Sequence, residues 1–511
     1  MNKPGFNIFI IFFIVIIASG GTLWSSPNSP ALVMIQNAEP HLIEHLEIPV
    51  YTRLGPNLIA GVHPVQFEIL SERGVAIHLL DGSIFGREYY IIYDHSEQDC
   101  LQLFPAEKIL YLEGATYIVH ATAAEAAYLG QQGAEIRKIT FDPKPIRSSP
   151  RAIPRIIDFD PVIAAIIDQV NQETVYQYCS DLSGENVVEI GGEPYTIKTR
   201  NSDQTAAIHN ATQYGYEFFH KLGYTVEYHY FSGPGIRNVI ATKISPVNPD
   251  QYVVICAHLD DMPDGELAPG ADDNASGCVA VMLAAELLVP YDFNTSIIFA
   301  LWTGEEQGLY GSYNYAREAY QAGMDIQAVL NLDMIAWDEL QGPIINIHAD
   351  EYYLPESVDL AHLMSDIIDV YELNLSARIL TYGFSYSDHA SFWDYGYVAV
   401  LGIEDGNDFN DYYHTINDRV QYLNMPYFTE FMKASLATII TVADYIVPEL
   451  LGDIDSSGRV DGLDLLILSL AFGASEGDDN FNPEADLDYS GAIDGDDLAI
   501  LKANFGVVAS A

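Results

Sequence analysis

The chain has 511 residues, 49% of them apolar and 12% aromatic, so it is too long for one ordinary domain and rich enough to build several cores. General disorder is thereby excluded. Its 72 acidic and 22 basic residues give a formal net charge of −50, a surface that repels nucleic-acid phosphates and anionic lipids and excludes both as partners. Lys is scarce, with none between Lys243 and Lys433; this is compatible with a saline habitat, and calcium-binding carboxylates account for part of the acidity.

The amino terminus reads as an export signal. Lys3 precedes an uninterrupted apolar run at 9–18, and a Gly, Ser and Pro stretch follows at 19–30. The run is too short to span a bilayer comfortably, which points to a cleaved signal of about 25 residues, with an uncleaved anchor as the alternative. No second run approaches membrane length, so the remainder is expected to be soluble.

Residues 31–151 alternate short apolar strands with turns, at 65–70, 75–80 and 89–93. They close with a strand at 117–120, a helix over 122–131 and a strand at 134–139. This predicts a small α+β module, either a propeptide or an accessory domain. The Pro-rich segment 143–154 reads as a linker.

From 156 to 450 the pattern becomes strand–helix alternation. The runs at 253–257, 297–301 and 329–332 are nearly continuously apolar, as in strands buried on both faces, and helices such as 276–288 lie between them. The expectation is an α/β domain with a mixed, mainly parallel sheet and helices on both faces. Cys100, Cys179, Cys256 and Cys278 form no CxxC pair, so a thiolate zinc or redox site is not expected. They read as buried apolar side chains, although export permits one bridge, Cys256 to Cys278.

Each buried strand of this block ends in a metal-competent side chain. The first runs into His258 and Asp260, the second into Glu305 and Glu306, and the third into Asp333. Parallel strands converge at their carboxyl ends, so these segments meet in one crevice. Asp272 and Asp273 open the helix after the first strand, and His414 lies in a polar loop beyond a Gly- and Asp-rich stretch. Imidazoles and carboxylates without thiolates suit catalytic zinc. Two metals close together need one shared carboxylate, so five ligands suffice and Glu305 is free to take a proton from water. Asp260 suits the imidazole nitrogen of His258 that faces away from the metal. Asp261, Asp264 and Glu266 read as solvated loop charges.

The segments HLD at 258–260, PGADDNASG at 269–277, EEQGLYGS at 305–312, LDM at 332–334 and HT at 414–415 resemble the secreted bacterial leucyl aminopeptidases in order and spacing. The resemblance implies a zinc exopeptidase fold and two co-catalytic zinc ions. It makes Asp272 the bridging ligand, gives His258 and Asp333 to one zinc and Glu306 and His414 to the other, and makes Glu305 the general base. It also implies a cis peptide at Asp272–Asp273. Lys198-Thr199-Arg200 resembles the entry to the family domain, and Ser387-Asp388-His389 the loop lining its substrate pocket. A disulfide common before that loop has no counterpart in Gly383-Phe384-Ser385-Tyr386. Peptide substrates and release of amino-terminal residues follow from the resemblance. A glutaminyl cyclase or carboxypeptidase of the same fold, or a non-catalytic scaffold-binding subunit, is the alternative.

His41-Leu42-Ile43-Glu44-His45 spells an inverted zincin motif, HxxEH. Pro49 ends any helix there within about a turn, too short to present both imidazoles with a third ligand, so it is read as coincidence.

The last block carries one loop pattern twice. Asp453, Asp455, Ser457, Asp461 and Asp464 occupy positions one, three, five, nine and twelve, with Gly458 at six. Asp486, Asp488, Ser490, Asp494 and Asp497 repeat them with Gly491. These are the ligand positions of an EF-hand calcium loop. Each loop leads into one apolar helix, at 465–472 and 498–505. The pair over 451–506 resembles a dockerin, which implies two calcium ions and a cohesin-bearing scaffold as partner. Positions ten and eleven, Gly462-Leu463 and Gly495-Asp496, depart from the Ser-Thr pair common in that family.

Overall fold

The computed structural model describes residues 29–94, 104–146, 153, 157–231, 236–446 and 451–507. The expected export signal, Cys100 and most of the expected linker lie outside these residues.

The amino-terminal module is two stacked antiparallel sheets with helices outside. Strands β1 (Ala31–Gln36), β2 (Val50–Leu54), β3 (Asn57–Val62) and β4 (Ile77–Asp81) run in the order β2-β3-β1-β4. Strands β5 (Tyr89–Asp94), β6 (Ile109–Glu113), β7 (Thr116–His120) and β8 (Ala134–Ile139) run in the order β6-β7-β5-β8. Leu32, Met34 and Ile59 of the first sheet meet Tyr89, Ile91 and Ile118 of the second. Helices Pro40–His45 and Pro64–Glu72 bury Ile43 and Leu70 on the outer face of one sheet, and helix Ala123–Gly130 buries Ala126 and Leu129 on the other.

One expected strand is overturned. Residues 65–70 lie in helix Pro64–Glu72 because Pro64 presets the first turn and Gln66 reaches back to accept the His63 N–H at 2.9 Å. The start of the expected linker is also packed structure. The Lys144 N–H donates to Val50 O at 2.8 Å, and its fully buried ammonium lies 3.0 Å from Asp142.

After a hairpin of β9 (Val188–Ile190) and β10 (Glu193–Tyr195) comes the eight-stranded sheet that carries the chemistry. Its strands are β11 (Thr225–Tyr230), β12 (Arg237–Lys243), β13 (Asn248–His258), β14 (Thr295–Trp302), β15 (Asp325–Leu332), β16 (Ile344–His348), β17 (Ser376–Leu380) and β18 (Ala399–Glu404). The order is β11-β12-β14-β13-β15-β18-β16-β17. The central four, β14, β13, β15 and β18, are mutually parallel, while β11–β12, β12–β14 and β16–β18 pair antiparallel.

Side chains alternate across this sheet as the two-residue period requires. Val253, Ile255 and Ala257 pack beneath the helices Gly277–Leu287 and Met425–Ala443, whereas Val254 and Cys256 face helices Tyr310–Ala322 and His389–Asp394. The expected layering holds. Alternation also separates Cys256 from Cys278; both are free and buried, as is Cys179, so the permitted bridge is absent.

The carboxy-terminal unit has its own small core of Val460, Leu468, Ile493 and Leu501 beneath helices Gly462–Ala471 and Gly495–Asn504. Among the described residues no helix is long and apolar enough to cross a membrane.

Candidate metal centre

The parallel strands deliver their terminal side chains to one crevice, as expected. His258 closes β13, Glu305 and Glu306 follow β14, and Asp333 follows β15. Glycine is required where the helix after β13 begins, because a Cβ on Gly277 would lie 2.3 Å from Leu332 O. That close approach brings the loop 270–276 against the end of β15.

Two clusters form there and share one residue. His258, Asp273 and Asp333 form one; Asp273, Glu306 and His414 form the other. His258 Nε2 lies 3.3 Å from Asp273 Oδ1 and 3.2 Å from Asp333 Oδ1. His414 Nε2 lies 3.2 Å from Asp273 Oδ2 and 2.8 Å from Glu306 Oε2. Asp273 therefore turns one carboxylate oxygen toward each imidazole.

This corrects the expected bridge. Asp272 points the other way, its Oδ1 accepting the Ala336 N–H at 2.9 Å and its Oδ2 the Asn410 side-chain amide at 3.1 Å. The cis peptide is Asp273–Asn274, one bond later than expected. The cause lies in the backbone. Asp418 accepts the N–H groups of both Asp272 and Asp273 at 3.0 Å, which fixes the turn so that consecutive side chains diverge.

Each imidazole is oriented by a carbonyl on its far nitrogen. His258 Nδ1 donates to the main-chain oxygen of Asp260 at 3.1 Å, and His414 Nδ1 donates to Gly130 O at 2.9 Å. A carbonyl only accepts, so Nδ1 of each ring carries a hydrogen and Nε2 is the nitrogen that faces the centre. The expected role of the Asp260 carboxylate is corrected too. It stands 3.9 Å from His258 Nδ1 and instead accepts the Glu305 N–H at 3.3 Å.

The donor set fits a pair of cations. Burial opposes a charged His258, yet the carboxylates of Asp333 and Glu305 outweigh it and raise its pKa well above the ordinary value. His414 behaves likewise beside Glu306 and Asp273. Burial pushes Glu306 up to about 8, helped by the charge of Asp273. Glu306 Oε1 and His414 Nε2 are buried without a hydrogen bond. Buried carboxylates outnumber imidazoles, with two of their polar atoms orphaned, which is the environment expected around divalent ions. Two nitrogen and three carboxylate donors with no thiolate suit zinc.

Glu305 is 3% exposed, and burial raises its pKa well above the ordinary carboxylate range against the pull of His258. Ser387 Oγ donates to Asp333 Oδ2 at 2.6 Å. Asp388 and His389 are both wholly buried, so they back the site rather than line an open pocket. The carboxylate oxygens of Asp388 are buried without a hydrogen bond among the described residues, and burial pushes the group up to about 7. Asp261 is not a solvated charge as expected; it is wholly buried, 3.2 Å from the Arg200 guanidinium. Asp264 and Glu266 are exposed, as expected.

Sequence reasoning missed the share of the site supplied by the amino-terminal module. Besides Gly130, Glu135 of β8 accepts the Tyr413 hydroxyl at 2.6 Å, and the Tyr413 ring stacks on His414 at 3.7 Å. Burial pushes Glu135 up to about 7 against the pull of His414. Nothing in the local sequence marks these two residues, which lie about 280 positions from His414. The HxxEH segment stays apart. Helix Pro40–His45 has six residues, and no metal-competent cluster forms there among the described residues.

In the tail, Asp453, Asp455 and Asp464 form one cluster and Asp486, Asp488 and Asp497 another. Asp464 and Asp497 turn inward, accepting the Ile454 and Leu487 N–H groups at 2.7 Å. Asp461 and Asp494 cap the helices through the Leu463 and Asp496 N–H groups at 2.8 Å. The Ser457 and Ser490 N–H groups donate to Asp453 and Asp486 at 2.9 and 3.0 Å. Gly458 and Gly491 take φ of 81° and 83°, the sharp turn at position six.

The chain is similar to proteins named as aminopeptidases and as a zinc metalloprotease. A leucine aminopeptidase 1 of Leptosphaeria maculans is 30% identical over 229 residues, covering 41% of this chain and 56% of the relative. A probable zinc metalloprotease of Pyrenophora tritici-repentis is 23% identical over 248 residues, covering 41% and 57%. The chain thus spans little more than half the length of these relatives. The crystal structure of the Legionella pneumophila LapA aminopeptidase shares the fold, with a TM-score of 0.56 at 18% identity, covering 70% of this chain and 98% of that one. Residues 238–439 match the model of peptidase family M28 and residues 451–506 that of the type I dockerin domain, so the chain carries an M28 peptidase domain followed by a dockerin.

Proposed function

We propose that this chain is an extracellular metallo-aminopeptidase that removes amino-terminal residues from peptides with two zinc ions and is tethered through its dockerin to a cohesin-bearing scaffold. The observation that carries the reading is the Asp273 carboxylate, which offers one oxygen toward each of two imidazole–carboxylate pairs. His258 and Asp333 would hold one zinc, Glu306 and His414 the other, and Asp273 both. Zinc bound there would supply Lewis acidity toward a peptide carbonyl and lower the pKa of water.

The remaining work falls to the chain itself. Glu305, kept in place by the Asp260 bond to its N–H, is the base that takes a proton from attacking water and returns it to the leaving amine. Ser387 and the carbonyls of Asp260 and Gly130 keep the ligands aligned. The expected export signal at 1–25 and the acidic composition support action outside the cell. The paired Asp clusters at 453–464 and 486–497 support two calcium ions in the tail.

The test is metal content together with turnover of aminoacyl p-nitroanilides, with and without chelator. Two equivalents of zinc and chelator-sensitive turnover are expected. Glu305→Gln should keep its zinc and lose turnover about 10²- to 10⁴-fold. Full activity in that variant, or release of carboxy-terminal residues alone, would overturn the assignment.

A further inference from the structure

We propose that the amino-terminal module is a permanent wall of the active site and that its Glu135 binds the free α-ammonium group of the peptide substrate. The inference rests on the aminopeptidase reading above and names the residue that makes the reaction specific for a chain end.

Glu135 sits near the start of β8, opposite Tyr93 in the sheet, and its side chain crosses to the peptidase domain. One carboxylate oxygen is held by the Tyr413 hydroxyl at 2.6 Å; the other is engaged by no described residue. The residue is half-buried, whereas Asp273, Glu305, Glu306 and Asp333 around it are each at most 7% exposed. Its anchor Tyr413 stacks on His414, and its charge is coupled to those of Asp273, Asp333, His414 and Glu305, so it stands beside the metal pair.

The chemistry of an amino-terminal substrate matches this placement. The α-nitrogen is two bonds from the scissile carbonyl carbon, so a carbonyl presented to the metal pair brings its ammonium within reach of groups beside that pair. A carboxylate with one anchored and one open oxygen is a suitable acceptor for it.

The module is attached as a built part of the domain. Arg137 pairs with Asp394 at 2.8 Å, both side chains 6% exposed. The buried Arg53 donates to Trp393 O at 2.7 Å, and Thr52 donates to Asp394 at 3.2 Å. Removing the module would strand Asp394 and leave His414 without its carbonyl.

The experiment is calorimetric binding of two ligands to the zinc-loaded full chain, L-leucine and 4-methylpentanoate, which differ by the ammonium group alone. Glu135→Gln is expected to weaken leucine about 10- to 100-fold, as loss of a hydrogen bond to a charged group does, and to change 4-methylpentanoate less than twofold. Glu135→Asp keeps the charge but withdraws it by one methylene, and should show the same selective loss in smaller measure. Equal weakening of both ligands would mean a structural role, and no weakening would mean that the ammonium binds elsewhere; either overturns the proposal. Turnover of leucine p-nitroanilide by the unaltered chain is measured alongside. Its absence counts against the aminopeptidase reading, whereas normal turnover with unselective binding counts against Glu135 alone.

Discussion

Replacing Arg200 by Ala removes a guanidinium that is wholly buried beneath the metal centre. It donates to Leu259 O and Leu182 O at 2.7 Å, Gly270 O at 2.9 Å and Pro269 O at 3.0 Å, and lies 3.2 Å from Asp261 Oδ2. The variant leaves these carbonyls without their donor and the buried Asp261 carboxylate without its counter-charge, with only the main-chain N–H of residue 200 and the Thr199 hydroxyl still donating to it. Breaking a buried pair from one side costs about 3–5 kcal/mol. Burial already pushes Asp261 up to about 7 against the pull of Arg200, so the stranded carboxyl takes a proton near neutral pH, which limits the loss to that range. With an unfolding entropy of about 2.1 cal/mol/K per residue and a unit on the order of 300 residues, the melting temperature should fall by about 5–8 °C. Because Arg200 ties the end of β13, which bears His258, to the turn that bears Asp273, zinc affinity should fall as well. Scanning calorimetry of the zinc-loaded chain, with zinc titration of the apo protein, reads both effects. A melting temperature within 1 °C of the unaltered protein would refute the reasoning.

Three further outcomes follow from the same geometry. Asp273→Asn should lose at least one equivalent of zinc by mass spectrometry, whereas Asp272→Asn should keep both; the reverse would restore Asp272 as the bridge. Removing calcium should unfold residues 451–507 while the peptidase domain keeps its turnover, since the tail has a separate core; calorimetry with chelator should show one transition lost and one kept. Burial holds His389 down at about 3 against an ordinary value of 6.5, so the unfolded chain binds the proton more tightly. Its contribution to stability is fully present above pH 6.5 and is lost as pH falls toward 3, at a slope of about 1.4 kcal/mol per pH unit. His389→Gln should remove that slope, read as the difference between denaturation midpoints of the two proteins across this range.

Much of the chemistry was legible because it sits on regular elements. Apolar runs ending in His258, Glu305–Glu306 and Asp333 locate the crevice, since parallel strands must end together. The two calcium loops are readable for the same reason, being local in sequence. The choice between Asp272 and Asp273 was not legible. Both are carboxylates at one helix start, and the bonds from Asp418, some 145 residues away, decide which one turns inward. Asp261 was misread because its partner Arg200 lies about 60 positions earlier. The strand expected at 65–70 failed through local chemistry that was present in the sequence, Pro64 and the Gln66 cap, and was outweighed by apolar content.

The bond from His414 to Gly130 spans 284 positions. It bears on when the metal cradle can form. The described residues of the amino-terminal module have cores of their own and can collapse early as the chain emerges. The second imidazole, by contrast, arrives only once His414 has been made. Until then the carboxylates already in place lack one half of the metal cradle. The proposed activity therefore cannot precede the synthesis of His414.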